Sequence, residues 1–187
     1  MAIPLFFFWV ILGFALPAQA DSVNFAYLHG VASANSEYYP ASRAIDGDRD
    51  TSWAAASHGT PTNPYWLQVD LENQYSVDQI VLVFTHSGIY AGYTNVYNLY
   101  NSTDGTNWNL IQSGTLYDST TDYVYPITLN DHNLTQFVKY EVIGGTHWAQ
   151  LYEMEIYGNS SPVPLPPAVY LLGSGLLGLV GFRRLTQ

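Results

Sequence analysis

The chain has 187 residues, no cysteine, and a formal net charge of −10 from five Lys/Arg and 15 Asp/Glu. The absence of cysteine excludes a disulfide framework and thiolate chemistry. Between residues 21 and 162 the cations are Arg43, Arg49 and Lys139. This segment therefore lacks the basic patch that nucleic acid and anionic membrane surfaces require. Few charges and 16 tyrosines suit a neutral ligand with hydroxyls and apolar faces.

Residues 1–20 have the pattern of a secretory signal peptide. The chain is apolar from Ile3 to Leu16, and Ala18-Gln19-Ala20 is a small-x-small cleavage pattern before Asp21. The segment departs from the usual pattern because its beginning carries no Lys or Arg. We exclude it from the fold and expect a secreted protein.

Residues 46–51, which we call the Asp-rich loop, place three carboxylates at alternate positions around Gly47. Calcium takes six to eight oxygen ligands, and such a loop supplies them. An EF-hand is excluded, because its sixth loop position is Thr51 instead of glycine and its twelfth is Ser57 instead of glutamate. A plain Asp/Gly turn that ends at a buried tryptophan is the alternative. The loop alone leaves both open.

The remaining pattern between residues 21 and 158 is that of one all-β domain. Turn clusters such as Asp104-Gly105 and Gly144-Gly145 separate short apolar or alternating runs, and no segment sustains a helical period. Many short strands predict a sandwich or a jelly roll. The predicted strands are Val77–Phe84, Tyr97–Tyr100, Tyr123–Leu129, Phe137–Ile143 and Leu151–Tyr157.

Four segments follow one another in a specific order: Asp46–Trp53, Tyr65–Leu71, Asn101–Trp108 and Tyr152–Gly158. This series resembles the discoidin domain, also called the coagulation-factor type C domain, whose bacterial members include galactose-binding carbohydrate modules. The resemblance spans roughly Asn24 to Gly158. It implies an eight-stranded jelly-roll β-sandwich of the galactose-binding-like type, with the two chain ends close together.

The resemblance also implies a structural calcium ion where the Asp-rich loop meets the last strand. By position, Asp46 and Glu153 would supply carboxylates, and Thr51 would supply its hydroxyl and carbonyl. Main-chain oxygens would come from Arg43, Asp48 and Tyr152.

Glycan sites of the family lie on loops at one end of the sandwich and use an aromatic platform. We expect Trp53, Trp66 and Trp108 in the core, and Trp148 in a binding loop. The arginine usual in sugar-binding relatives has no counterpart in residues 87–95, so the resemblance does not specify the sugar. The candidate carbohydrate-binding residues are Tyr38, Tyr39, His86, Tyr90, Tyr93, His147 and Trp148.

The sequence predicts no catalytic site. It has no His-Glu-x-x-His motif, nucleophile elbow or phosphate-cradling loop. Glu153 and Glu155 are neighbours on one strand, and such carboxylates cannot flank a sugar from opposite sides as glycosidases require. We therefore expect a non-catalytic carbohydrate-binding protein. A structural or adhesive surface protein whose domain makes only protein contacts is the alternative.

Residues 163–187 form a second targeting segment after a linker at residues 159–162. Val163 to Phe182 is apolar and long enough to cross a bilayer, and Arg183-Arg184 marks its cytoplasmic side. A GPI signal also combines small residues with an apolar tail, but the terminal arginines argue against it.

This tail resembles a bacterial PEP-CTERM sorting signal, with Pro164-Leu165-Pro166 in place of the Pro-Glu-Pro core. The resemblance implies a precursor anchored in the inner membrane of a Gram-negative bacterium, and processing by the membrane protease exosortase. The product would be a cell-surface or matrix protein, with the cell's own exopolysaccharide as a candidate ligand.

Overall fold

The structure is a computed structural model that describes residues 22–84, 92–118 and 123–159, with side chains described except at residues 130–133 and 159. The predicted signal peptide and the predicted sorting tail lie outside these residues. Within the described ranges, no helix has the length and apolar character needed to cross a membrane. Asn159, predicted to begin the linker, is the last residue of a strand.

The described residues form nine strands, one short α-helix and one 3-10 helix, so the predicted all-β class is confirmed. The resemblance implied eight strands, and the predicted strand Leu151–Tyr157 is divided at Tyr152 into two. The elements are β1 Val23–Asn24, α1 Phe25–His29, β2 Val31–Ala34, the 3-10 helix Ala41–Ile45, β3 Trp53–Ala54, β4 Tyr65–Val83, β5 Thr94–Ser102, β6 Asn109–Tyr117, β7 Val124–Gly145, β8 Gln150–Leu151 and β9 Glu153–Asn159.

The two long strands β4 and β7 form the frame of the fold. They pair antiparallel from Tyr65↔Val142 to Val83↔Val124, with register shifts at Asp70/Tyr75 and Val77/Gln79. Such irregularities bend a strand, so β4 and β7 each pass from one half of the sandwich into the other. The strand order is β1-β9-β4-β7-β5-β6, and β2 pairs with the first part of β4.

The core lies between the two halves because alternate residues of each strand point inward. In β4, Leu67 and Val69 are fully buried, whereas Trp66, which precedes Leu67, is half-buried. Trp53 is fully buried, which confirms its predicted place in the core. The same prediction is wrong for Trp66 and for Trp108, whose half-buried ring packs under the Lys139 ammonium at 4.3 Å.

The two ends of the domain lie side by side, as the resemblance implied. β1 pairs antiparallel with β9, with Val23 opposite Gly158 and Asn24 opposite Tyr157. The separate two-stranded sheet β3-β8 pairs Trp53 with Leu151. This small sheet brings the loops before β3 and before β8 to the same end of the domain.

Candidate functional site

The structure brings together five of the seven predicted carbohydrate-binding residues. We call them the aromatic cluster: Tyr38, Tyr39, Tyr93, His147 and Trp148. The ring centroids are 4.9 Å apart for Tyr38–Tyr39 and for Tyr38–Trp148. They are 5.4 Å apart for His147–Trp148 and 3.7 Å apart for the stacked pair Tyr93–His147. The other two predicted residues, His86 and Tyr90, lie outside the described residues.

The loop that carries Tyr38 and Tyr39 is held by hydrogen bonds to β3. The backbone N–H groups of Tyr38 and Tyr39 both donate to the carbonyl of Ala54, at 2.7 and 3.0 Å. The indole N–H of the buried Trp53 donates to the Ser36 carbonyl at 3.0 Å. A core tryptophan therefore anchors the loop that carries the two exposed tyrosines.

The loop that carries Trp148 is held by hydrogen bonds to the residues that follow β3. Ala55 donates to the carbonyl of Ala149 at 2.8 Å, and Ala149 donates to the carbonyl of Ser57 at 3.0 Å. Ala149 is fully buried, so the residue next to Trp148 is fixed by packing as well as by hydrogen bonds. Trp148 is thereby placed beside the Tyr38 ring.

Two threonines, Thr94 and Thr146, bring Tyr93 into contact with His147. The Thr146 N–H donates to the Thr94 carbonyl at 3.1 Å, and the Thr94 N–H donates to the Thr146 hydroxyl at 3.0 Å. Gly145 allows this approach, because it has φ +146° and a Cβ there would lie 2.1 Å from the Thr94 carbonyl oxygen. Tyr93 and His147, each adjacent to one of these threonines, are thus brought face to face.

The aromatic cluster is accessible and carries little charge. Tyr38 is 56% exposed and Tyr39 41% exposed, while the other three rings are half-buried. Burial lowers the pKa of His147, which favours its neutral form, and its Nδ1 has no hydrogen-bond partner among the described residues. The Arg43 guanidinium lies 5.1 Å above the Tyr39 ring. Such a surface can stack against an apolar ligand face and form a few hydrogen bonds with its polar groups.

The Asp-rich loop closes on its own carboxylates. Asp46 accepts the Asp48 N–H through Oδ1 at 2.9 Å and the Thr51 hydroxyl through Oδ2 at 2.8 Å. Asp48 accepts the Asp50 N–H through Oδ1 at 2.9 Å. Gly47 has φ 78°, which turns the chain at the loop's second position. Three of the predicted metal ligands, Asp46, Asp48 and Thr51, therefore lie in one tight turn.

The Asp-rich loop meets β9 at Glu153. This side chain is 1% exposed, and its Oε1 accepts the Gly47 N–H at 2.8 Å. Its Oε2 is buried with no hydrogen-bond partner among the described residues. Burial, followed by the neighbouring Asp46 carboxyl, raises the pKa of Glu153 to about 8. Two facing carboxyl groups and an unpaired buried oxygen fit a bound cation, which would compensate both.

The remaining predicted ligands lie next to this pair. Arg43 is in the 3-10 helix whose C-cap is Asp46, and Tyr152 precedes Glu153 in the chain. Among the residues that the structure describes, no group of three or more His, Cys, Asp or Glu could hold a metal ion. The side-chain carboxylates at this place are those of Asp46 and Glu153, so further ligands would be hydroxyl and main-chain oxygens.

Arg49 and Glu155 form a contact that was not predicted from the sequence. Arg49 donates from Nε and Nη2 to Glu155 Oε1, at 3.1 and 2.5 Å, and the Tyr157 hydroxyl donates to Glu155 Oε2 at 3.1 Å. Alternate residues of a strand point to the same face, so Glu155 lies on the same face as Glu153. This alternation was the feature of the sequence that could have predicted the contact of Glu155 with the Asp-rich loop. The ion pair adds a second connection between the Asp-rich loop and β9.

Comparison with known proteins identifies the family. The sequence profile of the F5/8 type C domain matches residues 29–154, and the chain belongs to this family. The predicted resemblance to the discoidin or coagulation-factor type C domain is thereby confirmed, and with it the galactose-binding-like sandwich.

Solved structures of carbohydrate-binding modules (CBMs) are similar to the chain. A family 32 CBM from C. perfringens in complex with galactose shares 26% identity, with a TM-score of 0.61, over 73% of this chain and 98% of that one. A chitosan-binding module of a chitosanase/glucanase from Paenibacillus sp. IK-5 shares 26% identity, with a TM-score of 0.56, over 73% and 99%. The domain therefore shares its fold with these carbohydrate-binding modules.

A curated relative is an enzyme that contains such a segment. Galactose oxidase from Gibberella zeae is 28% identical over 123 residues, which are 64% of this chain and 18% of that protein. The chain thus spans less than a fifth of the length of this relative.

Proposed function

We propose that this protein binds a glycan and does not act on it chemically. The aromatic cluster is the observation that carries the proposal: five rings in contact, partly exposed and held by loops on a rigid sandwich. The C–H face of a sugar ring packs on such a surface. Its hydroxyls would meet the polar groups of His147 and Arg43, which lie at opposite ends of the cluster.

The similar proteins support a glycan as the class of ligand. The C. perfringens module was solved with galactose, and the Paenibacillus module is a chitosan-binding module. The likeness to galactose oxidase covers 18% of that enzyme, so it supports a shared module and gives no support for oxidase activity. A net charge of −10 favours a neutral or weakly acidic glycan.

A glycan array followed by titration of the bound sugars tests this proposal. Trp148→Ala should weaken binding several-fold, because it removes the apolar ring face against which the sugar would pack, at about 25 cal/mol per Å² of buried area. Trp108→Ala is the matched control, because Trp108 is also half-buried and lies outside the aromatic cluster. The melting temperature of Trp148→Ala should change little. Binding of no glycan would favour a structural protein with protein contacts only.

We also propose a structural calcium ion held by the carboxylates of Asp46 and Glu153. The hydroxyl and carbonyl of Thr51 and main-chain oxygens of Arg43, Asp48 and Tyr152 would complete the ligand set. The buried, unpartnered oxygen of Glu153 supports this proposal. The ion would supply charge compensation and join the Asp-rich loop to β9.

The proposed setting of this activity is the cell surface or extracellular matrix of a Gram-negative bacterium. The patterns of residues 1–20 and 163–187 support export, an inner-membrane precursor and processing by exosortase. An exopolysaccharide would then be within reach of the aromatic cluster.

A further inference from the structure

A groove lies on the outer face of the half-sandwich formed by β9, β4 and β7. The register of these strands aligns Glu155, Val81 and Pro126 in one row across the sheet, and Tyr157 with Gln79 in the next row. Residues in such rows point to the same face. The groove shares no residue with the aromatic cluster.

One wall of the groove comes from the Asp-rich loop. Arg49 extends from this loop to β9 and donates twice to Glu155, while Tyr157 donates to the other oxygen of the same carboxylate. The groove is open to solvent and has a volume of about 350 Å³. This lies at the lower end of the range of about 300–1,000 Å³ for small-molecule sites, which suits one or two sugar rings.

The groove combines an apolar floor with neutral hydrogen-bonding groups. Val81, Val124 and Pro126 line it, and Val124 is 37% exposed. The amide of Gln79 has no side-chain hydrogen bond within the described residues, so its donor and acceptor are available. The Tyr157 hydroxyl adds a further acceptor.

The charges of the groove compensate each other. The guanidinium of Arg49 is paired with Glu155, and Arg49 retains 48% side-chain exposure. An anionic ligand would have to compete with Glu155 and with the protein's net charge of −10. A ligand with hydroxyls and one apolar face can pack on the apolar floor and form hydrogen bonds with the polar groups of the groove without adding a charge.

We propose that this groove is a second saccharide site, which binds a neutral mono- or disaccharide. Its C–H face would pack on Val81, Val124 and Pro126, and its hydroxyls would bond to Gln79, Tyr157 and Arg49. The proposal does not depend on sugar binding at the aromatic cluster. If both sites bind one polysaccharide, their combined avidity exceeds either affinity.

The test is a heteronuclear NMR titration of the isotope-labelled full chain with galactose and with N-acetylgalactosamine. We expect concentration-dependent shifts of the Gln79, Val81 and Tyr157 amides. Val124→Trp fills the groove and should abolish these shifts. Gln79→Ala should raise the dissociation constant obtained from them about tenfold. Val31→Trp is the matched control, because Val31 is an exposed strand valine outside the groove.

The outcomes separate this site from the proposed function. Groove shifts that vanish in Val124→Trp and persist in Trp148→Ala support a second site. Shifts confined to the amides around Trp148, or groove shifts unchanged by Val124→Trp, overturn it. Groove shifts without any response around Trp148 would overturn the aromatic cluster as the sugar site and leave the groove in place.

Discussion

Glu153 accepts the backbone N–H of Gly47 over 2.8 Å, and this bond joins the start of β9 to the Asp-rich loop. The other Glu153 oxygen is buried without a hydrogen-bond partner in the described part of the chain, and Asp46 lies beside it. Burying a carboxylate in this way is costly unless a cation or a proton compensates it. The stability of the domain should therefore respond to calcium.

We expect calcium to raise the melting temperature of the chelator-treated protein. An ion that binds only the folded state stabilises it by about 2.7 kcal/mol at a hundredfold excess over the dissociation constant. Asp46→Ala should remove this shift, whereas Glu72→Gln, which changes an exposed acid away from the loop, should retain it. Differential scanning fluorimetry with calcium and with chelator measures the effect. A melting temperature indifferent to both contradicts the calcium site.

The stability should also depend on pH through His147. Burial lowers its pKa in the folded state, whereas the unfolded chain keeps the ordinary value of 6.5. As pH falls below about 6.5, the imidazole binds a proton in the unfolded chain first, so the contribution of His147 to the free energy of unfolding decreases. The contribution is fully present above that value and is lost as pH falls through the lowered pKa. Glu153, whose pKa is raised in the folded state, contributes in the opposite direction.

Denaturant unfolding at a series of pH values between about 7 and 5 measures this slope. As pH falls, His147→Gln should lose less stability than the wild type, and His58→Gln, at an exposed position, should follow the wild type. Equal slopes for the wild type and His147→Gln would show that the half-buried imidazole does not contribute to the pH dependence.

Gly145→Ala should be strongly destabilising. Its φ of +146° and the 2.1 Å approach of a Cβ to the Thr94 carbonyl oxygen require the two strands to separate. We expect a loss of about 1–3 kcal/mol and weaker sugar binding, because Tyr93 moves away from His147. Gly144→Ala is the matched control, because its Cβ would meet Val96 at an ordinary 3.6 Å. Unfolding curves that coincide for the two variants would contradict this account.

The ends of the mature chain are predicted from the sequence alone. In native culture medium, the protein should begin near Asp21 and end near Val163, after removal of the signal peptide and the sorting tail. Without exosortase, the span Val163 to Phe182 should retain the protein in the inner membrane. Intact-mass spectrometry measures both ends. A medium species that still carries Arg184 would show that the tail is not a sorting signal.

Sequence reasoning could predict the elements whose residue pattern is strong. The buried run of β4 and the alternating parts of β7 and β9 were recognisable from period and composition. The contact between Asp46 and Glu153 came from the family resemblance, since no local pattern joins two residues so far apart. The same holds for Tyr38 and Trp148, which the β3-β8 sheet brings together.

Other elements could not be predicted because their signals are weak. Helix α1 has five residues, too few to show a helical period, and its cap is a single bond from the Tyr27 N–H to the Asn24 side chain. Strand β6 is an edge strand with Gln112, Ser113 and Gly114 at its centre, so it lacks an apolar alternation. Trp108 was wrongly predicted to lie in the core, because the sequence does not distinguish a large ring on the surface of a sheet from one in the core.

The adjacency of β1 and β9 gives the domain a direction in which it resists mechanical force. Val23 and Gly158 lie opposite each other in an antiparallel pair, so a pull applied at these two residues breaks the hydrogen bonds between β1 and β9 one after another. If a sugar is held at Trp148, which precedes β9 in the chain, a pull between that sugar and the end of β9 loads this strand from its two ends. That strand is paired with β4 from Ser76↔Asn159 to Val83↔Glu153, so its hydrogen bonds are sheared together. A domain tethered by its C-terminal end would thus meet tension from a bound polysaccharide in its stronger direction.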